Sequence, residues 1–470
     1  SNRPHLMLLF LRSDEIVEFI FINFLWLLFQ VFIFNFTEGT SGPKLLPLVG
    51  NLLQLDLRRP DRSLCELSEK YGSVFMVHLG HEKVVVLAGY KAFREALVGY
   101  AEEFGELFIT PLFSDMKPGG ILFANGESWK EMRRCTLKDF GNGRRMYEDK
   151  ILEECGYLME ICLFTGKPFD TARPVNYANI HRFISSIVYR SRFEYEDPRF
   201  INLSSRLYNM FPRAFYWVKN RQVILKHVEN NGRDVKDLVK HLKETLNPSM
   251  CRGFVDCFLI QQQKEQDSGV PDSLYSVQNL VYSVTNLFAA GTDVSSVWFC
   301  PDQVQEELDR VVGGRQVQMD DRRKLPFTDA VIHETQRMVN IVPMAIPHQT
   351  SRDVTFQGYF IRQGTTVFPL LTSVLYDDSE WESPHTFNHA HFLNQEGKFI
   401  WRDVFMVFSA GCRVCVGESM VRMELFLFFT SLLQRFRFTA PPGVSEDQLD
   451  VTPAVGFTLS PPPQQLCAVE

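Results

Sequence analysis

At 470 residues, 45% hydrophobic and 13% aromatic, the chain carries enough apolar side chain to bury a large core, which excludes a disordered segment or a small disulfide-held module. A formal net charge of -7 gives no bulk attraction for nucleic acid, so any cationic docking face has to be local. The ten cysteines are scattered, without repeated Cys-x-x-Cys pairs, and read mostly as reduced thiols of a cytosol-facing protein.

Residues 1–37 hold "IVEFIFINFLWLLFQVFIFNF", roughly the 20 residues that cross a hydrocarbon core. Glu18, Asn23 and Gln30 interrupt it, and a buried core helix or a signal-peptide core are the alternatives; a membrane anchor is the expectation. Arg3 and Arg12 precede the segment and Lys44, Arg58 and Arg59 follow it, so flanking charge does not set its orientation. The chain begins at Ser1, and the natural N-terminus is expected upstream. Residues 38–50 are rich in Gly and Pro and are expected to form a stiff, non-helical hinge. From 51 to 470 the periodicities are mostly helical, with β-rich pieces at 74–87, 355–361 and 366–370 and no dividing linker. The fold class is mainly α with small β-sheets, one domain behind an anchor.

Chemistry gathers in "FSAGCRVCVGESMVRMELFLFF", where glycines and Arg413 surround Cys415 just before an apolar helix. Gly411 permits a tight turn, while Arg413, the following amides and the helix N-terminus favour negative charge on the sulfur. Gly417 lets the helix start close to something flat and bulky. Taken alone, Cys415 would be an ordinary buried thiol. Upstream, Trp129 and Arg133 in "NGESWKEMRR" lie one helical turn apart, and both can donate to a carboxylate. Glu334 and Arg337 in "DAVIHETQRMVN" share a spacing with Glu131/Arg134, Glu196/Arg199 and Glu307/Arg310, where a surface ion pair or solvated face is the plainer reading. In "NLFAAGTDVSSVWFCPD" a polar notch, Gly291, Thr292 and Asp293, breaks an apolar helical run that ends at Pro301.

The pattern Phe408-x-x-Gly411-x-Arg413-x-Cys415-x-Gly417 resembles the haem-thiolate loop of the cytochrome P-450 superfamily. "GPKLLPLVGNLLQLD", "KYGSVFMVHLG" and "LPFTDAVIHETQR" resemble its vertebrate microsomal family 2 members, and the likeness extends from about residue 41 to 470. It implies haem b (iron protoporphyrin IX) as cofactor, with Cys415 as the axial iron ligand whose electron donation favours O–O cleavage. It further implies that Trp129, Arg133, His348 and Arg413 hold the haem propionates, and that Glu334, Arg337 and His391 form a buried cluster serving folding and haem retention. Cys412 is read as a bystander. The implied activity is a monooxygenase acting on lipophilic substrates at the cytosolic face of the endoplasmic reticulum membrane. Its electrons come from NADPH through cytochrome P-450 reductase, with cytochrome b5 as a further candidate donor. The basic run Lys130, Arg133, Arg134, Lys138, Arg144 and Arg145 is a candidate docking patch for that partner, and equally a solvated helix face. Phe113, Phe123, Ala290, Val342 and Phe457 are candidates for an apolar pocket.

The sequence also departs from the family. Its central helix usually carries a proton-delivering Thr where this chain has Val294, which leaves delivery to Asp293, Thr292, Ser295 or water. The run to Pro301 is about a dozen residues short, so a shortened central helix is expected. Leu107 stands where relatives often have a propionate-binding Arg. These departures raise the alternative of a non-catalytic, degenerate haem-binding membrane-associated relative.

Overall fold

A computed structural model describes residues 41–46, 49–109, 119–142, 144–165, 168–170, 219–248, 251, 253–271, 273–291, 302–445, 448, 454–455, 458–460 and 465–470. The described helices are α1 (Pro60–Tyr71), α2 (Tyr90–Arg94), α3 (Gly126–Asn142), α4 (Arg144–Thr165), α5 (Lys219–Glu244), α6 (Phe254–Asp267), α7 (Val277–Gly291), α8 (Asp302–Val311), α9 (Pro326–Val339), α10 (Leu371–Leu375) and α11 (Glu418–Leu433). The strands are β1 (Val74–Leu79), β2 (Glu82–Leu87), β3 (Glu106–Leu107), β4 (Phe169–Asp170), β5 (His348–Gln349), β6 (Val354–Phe356), β7 (Tyr359–Ile361), β8 (Thr366–Pro369), β9 (Arg437–Thr439), β10 (Ala454–Val455), β11 (Leu459–Ser460) and β12 (Gln465–Val469). Helices dominate and the sheets are small, as the periodicities predict.

The three β-rich stretches each become sheet. Residues 74–87 fold as a hairpin with Leu79 opposite Glu82, turned at Gly80, whose φ of 66° suits glycine. β8 runs parallel to β2, and the five-stranded order is β1-β2-β8-β5-β3. Val84 and Val86 point into one apolar cluster with Leu64 and Phe75, whereas Val85 and Leu87 join a second cluster with Phe93 and Trp381. The period-2 alternation therefore lets the sheet bury both faces.

The larger core lies between helices. α11 is apolar around its circumference, burying Met423, Phe426, Leu427, Phe428 and Leu432, and it packs against α4, α9 and α8. Ahead of α3, Gly120 approaches the backbone of α7 so closely that a Cβ would lie 2.8 Å from Ser283 N. Asn286 on α7 accepts from Ile121 N and Leu122 N, pinning that turn.

The segment expected as a hinge adheres to the sheet over its described part. Met76 N donates to Ser41 O, Asn51 N to His78 O, and the Asn51 side chain bridges His78 N and Lys44 O. Gly42 and Gly50 lie flush against β1, where a Cβ would collide with Met76 O and His78 O. Short-range composition shows the absence of helix but not a docking contact with a strand some 30 residues on.

Residues 16–36, the expected anchor, lie outside the described residues, and no described helix is long and apolar enough to cross a membrane. Residues 292–301, on which the expected shortening of the central helix rests, also lie outside them.

Candidate active site

The loop leading to Cys415 is shaped by close packing. Ser409 and Gly411 have φ of 64° and 71°, and a Cβ on Gly411 would collide with Leu97 O, so the turn requires glycine. Cys415 N donates to Phe408 O at 3.0 Å and closes the loop. The amides of Gly417 and Glu418, at the start of α11, are directed at the Cys415 sulfur. Among the described residues, a Cβ on Gly417 would meet only that sulfur, at 3.9 Å. Cys415 is exposed, although dense surroundings raise its thiol pKa, a combination that places the sulfur on a concave surface. Cys412, by contrast, lies with its sulfur 3.5 Å from Ala101 O.

The sequence expectation that Arg413 supplies the positive field at the sulfur does not hold. Burial raises the Cys415 thiol and the Glu418 charge adds to it, while the Gly417 and Glu418 amides and the Arg133 cation offset this only in part. Metal coordination itself deprotonates such a thiol, so the ligand role does not need a depressed pKa in the metal-free chain.

Arg413 stacks on the Trp129 ring, 3.7 Å from its centroid. It donates to Gly105 O at 2.7 Å, Ala124 O at 3.0 Å and Asn125 Oδ1 at 2.6 Å, which spends three of a guanidinium's five N–H groups. Burial brings its pKa down to about 10. Asn125 in turn exchanges hydrogen bonds with the Leu107 backbone, and Leu107 is buried opposite His348 in the β3–β5 pair. Leu107 is thus a packing residue here. Arg133 is half-buried, with its guanidinium carbon 5.8 Å from the Trp129 ring centroid, and among the described residues it has no carboxylate partner. A desolvated, unpaired guanidinium beside an accessible cysteine fits an anionic group on a bound cofactor.

His348 is buried, and its Nδ1 meets Phe104 O at 2.5 Å. A carbonyl only accepts, so Nδ1 carries the proton and donates. Burial, helped by the Arg413 charge, pushes the pKa down to about 4, leaving a neutral ring with Nε2 as an acceptor near pH 7. A propionate at Nε2 would have to bring a proton or raise that pKa.

Glu334, Arg337 and His391 are brought together in full burial. Arg337 Nε and Nη2 donate to the Glu334 carboxylate at 2.8 and 2.7 Å, and His391 Nδ1 lies 3.2 Å from it. The remaining Arg337 donors reach the carbonyls of Leu375, Pro384 and Thr386, and Asn388 N donates to Glu334. Arg337 and hydrogen-bond donors hold the Glu334 carboxyl low despite its burial.

Of the other Glu-x-x-Arg pairs, Glu131/Arg134 is a surface ion pair at 2.6 Å and Glu196/Arg199 lies outside the described residues. Glu307 departs from the solvated reading. It is buried and accepts from Phe327 N, Thr328 N and Thr328 Oγ1, capping the start of α9. Arg422 is a further residue that sequence reasoning missed. It pairs with Glu418 at 2.9 Å, meets His333 Nε2 at 2.9 Å, and so ties the cysteine helix to α9. No local spacing announces the Glu307–Thr328 or Arg422–His333 contact, because each joins separate helices, whereas Glu418–Arg422 is an i,i+4 pair within α11.

In the basic run, Lys130 and Arg134 are neutralised by Glu127 and Glu131, and Lys138 and Arg145 are exposed. Of the pocket candidates, Ala290 is exposed at the end of α7, and Phe123 and Val342 are half-buried. Phe113, Phe457, Thr292, Asp293 and Ser295 lie outside the described residues, as does the side-chain position of Gly291. The Phe408 ring lies 5.0 Å from the Arg422 guanidinium carbon.

The profile of the cytochrome P-450 family matches residues 40–468. The chain belongs to the cytochrome P-450 family. It is 58% identical over 459 residues to cytochrome P-450 2K1 of Oncorhynchus mykiss, covering 91% of each chain. It is 51% identical over 456 residues to cytochrome P-450 2K6 of Danio rerio, covering 90% of each. With cytochrome P-450 2E1 of Oryctolagus cuniculus it shares 39% over 461 residues, 91% of this chain and 92% of the relative. This P-450 is therefore a family 2-like haem-thiolate monooxygenase, and its family binds haem b through a cysteine thiolate. The comparisons do not favour a non-catalytic relative.

Proposed function

We propose that this P-450 inserts one oxygen atom of O2 into lipophilic small molecules, using NADPH electrons delivered by cytochrome P-450 reductase, with cytochrome b5 as an auxiliary donor. The overall balance is RH + O2 + NADPH + H+ giving ROH + H2O + NADP+. The site is proposed to face the cytosol from the endoplasmic reticulum membrane, with residues 16–36 as anchor. The observation that carries the reading is the accessible Cys415 sulfur, addressed by the Gly417 and Glu418 amides and flanked by the unpaired Arg133.

Bound haem supplies the iron at which O2 is reduced. Cys415 would supply the thiolate ligand to the iron, and the Gly417 and Glu418 amides would stabilise charge on its sulfur. Arg133, Trp129 Nε1 and the two Arg413 N–H groups that have no partner among the described residues would hold the propionates, with one ring nitrogen of His348 beside them. Small Ala290 and Gly291 would leave room for the haem and for O2, and Phe123 and Val342, with Phe113 and Phe457, would offer apolar surface to the substrate. Thr292, Asp293 and Ser295 relay protons toward the oxygen site. Val294 has no proton to give, so turnover is slower and more reducing equivalents are lost as hydrogen peroxide.

A carbon monoxide difference spectrum of the reduced protein tests the core of this reading. A thiolate-type Soret band is expected, and well-folded protein without haem would end it. NADPH consumption with reductase and a lipophilic substrate then tests catalysis. Peroxide formed per NADPH is expected to fall in Val294→Thr; tight coupling that the substitution leaves unchanged removes the assignment of Val294.

A further inference from the structure

A second cluster of reactive side chains lies at the other end of the helix that carries Trp129 and Arg133. Cys251 sits just before α6, and Cys257 lies on that helix's first turns, with Cys257 N donating to Gly253 O. The Cα atoms are 5.9 Å apart and the sulfurs are joined as a disulfide. This is an exception to the reduced-thiol expectation for the chain. α6 packs on α3, and the packing presses the buried carboxyl of Asp139, near the C-terminal end of α3, against the pair. Asp139 Oδ1 lies 3.3 Å from Cys257 Sγ, and its Oδ2 accepts from Tyr147 OH at 2.9 Å. The three donor atoms, two sulfurs and one carboxylate oxygen, lie within 4.8 Å of one another.

The contact between Asp139 and sulfur is informative about charge. A disulfide sulfur has no proton to donate, so a carboxylate placed against it gains no hydrogen bond there. With Tyr147 as its hydrogen-bond donor, burial pushes the Asp139 pKa up to about 6. Beyond the Lys150 charge that already acts on the carboxyl, a thiol proton or a cation shared with the sulfurs would give that oxygen a partner on the sulfur side. Two thiolates and one carboxylate form a donor set for a thiophilic divalent ion, with Zn–S about 2.3 Å and Zn–O about 2.0–2.2 Å. Cys251 is exposed, which leaves a fourth coordination position open to water.

We propose that Asp139, Cys251 and Cys257 form a redox-gated Zn2+ site, closed when the cysteines are joined and open when they are reduced. A low-molecular-weight thiol opens it by exchange: the protein S–S bond breaks, two protein thiols form, and two molecules of the reductant are oxidised to their own disulfide. Zn2+ then displaces two thiol protons to the solvent, and the Asp139 carboxylate supplies the third ligand. In the reduced, zinc-bound state the ion clamps the start of α6 to the end of α3. In the oxidised state no metal adds to the packing between those two helices.

The test uses the haem-loaded full chain, so that Cys415 is occupied. One sample is reduced with excess glutathione and freed of it anaerobically; another is oxidised with diamide. Both are dialysed against micromolar Zn2+ and their metal is counted. The reduced protein is expected to hold one equivalent more than the oxidised protein, and diamide is expected to release it. Cys251→Ser and Cys257→Ser should lose that equivalent, and Asp139→Asn should weaken it at least tenfold, with the haem spectrum reporting that each variant is folded. Equal zinc in reduced and oxidised wild-type protein means a structural disulfide only, and this arm needs no substitution. Retention of the full equivalent in both serine variants places the ion elsewhere. Either result overturns the proposal.

Discussion

Two groups of cationic side chains in this P-450 show opposite use of the same chemistry. Around Arg337, every one of the five guanidinium N–H groups is spent inside the protein, on Glu334 and on three carbonyls. Around Cys415, Arg413 spends three, and Arg133 has no carboxylate partner among the described residues. The closed cluster uses all of its donors within the protein, and the open one keeps cationic groups available for the anionic ligand proposed above. Burial alone does not separate them, because His348 is as buried as His391.

The largest effect should follow from breaking the closed cluster. Glu334→Ala or Arg337→Ala leaves a buried charge uncompensated and should cost about 3–5 kcal/mol. Thermal unfolding of the haem-loaded protein measures it, and a loss under about 1 kcal/mol would make the cluster an ordinary ion pair.

Next comes the pH dependence set by His348. Its folded pKa, about 4, lies below the ordinary 6.5, so the unfolded chain binds the extra proton first. The contribution is complete above about 6.5 and is lost as pH falls toward 4, on the order of 3 kcal/mol. Urea unfolding of the haem-free chain should lose stability over that window, and His348→Gln should flatten the slope. Haem loading should flatten it too if a propionate reaches Nε2.

Arg133→Ala tests the open group. Haem affinity should fall about tenfold, or about 1.4 kcal/mol, with the stability of the haem-free chain unchanged. Equal losses in both would place Arg133 with the structural cluster. The smallest effect is expected for Glu307→Gln, which weakens the cap on α9 while still accepting hydrogen bonds. A cost of about 1 kcal/mol, measured by denaturant unfolding, fits that role.

Much of the site was legible in sequence because its signals are local. The loop around Cys415 needs a left-handed glycine at Gly411, and the Glu334–Arg337 spacing puts both side chains on one face of a helix. Trp129 and Arg133 likewise share a helical face. The β-rich composition of 74–87 marks strand there without any knowledge of its neighbours, and the structure folds it into a hairpin turned at Gly80. What could not be read are contacts that depend on how elements meet. Glu307 looks like any solvated helical acid until α8 meets α9, and the hinge-like composition of 41–50 hides its attachment to β1.

The sequence by itself determined the class of fold and, through motifs confined to single chain segments and the family they resemble, which cysteine and which types of side chain to propose for the site. Tertiary structure alone decided which cation acts on Cys415, how many donors Arg413 keeps free, which ring nitrogen of His348 carries the proton, and that Asp139 meets two cysteines. The physical reason is that charge and protonation depend on burial and on partners a few ångströms away, and those partners come from residues distant in the chain.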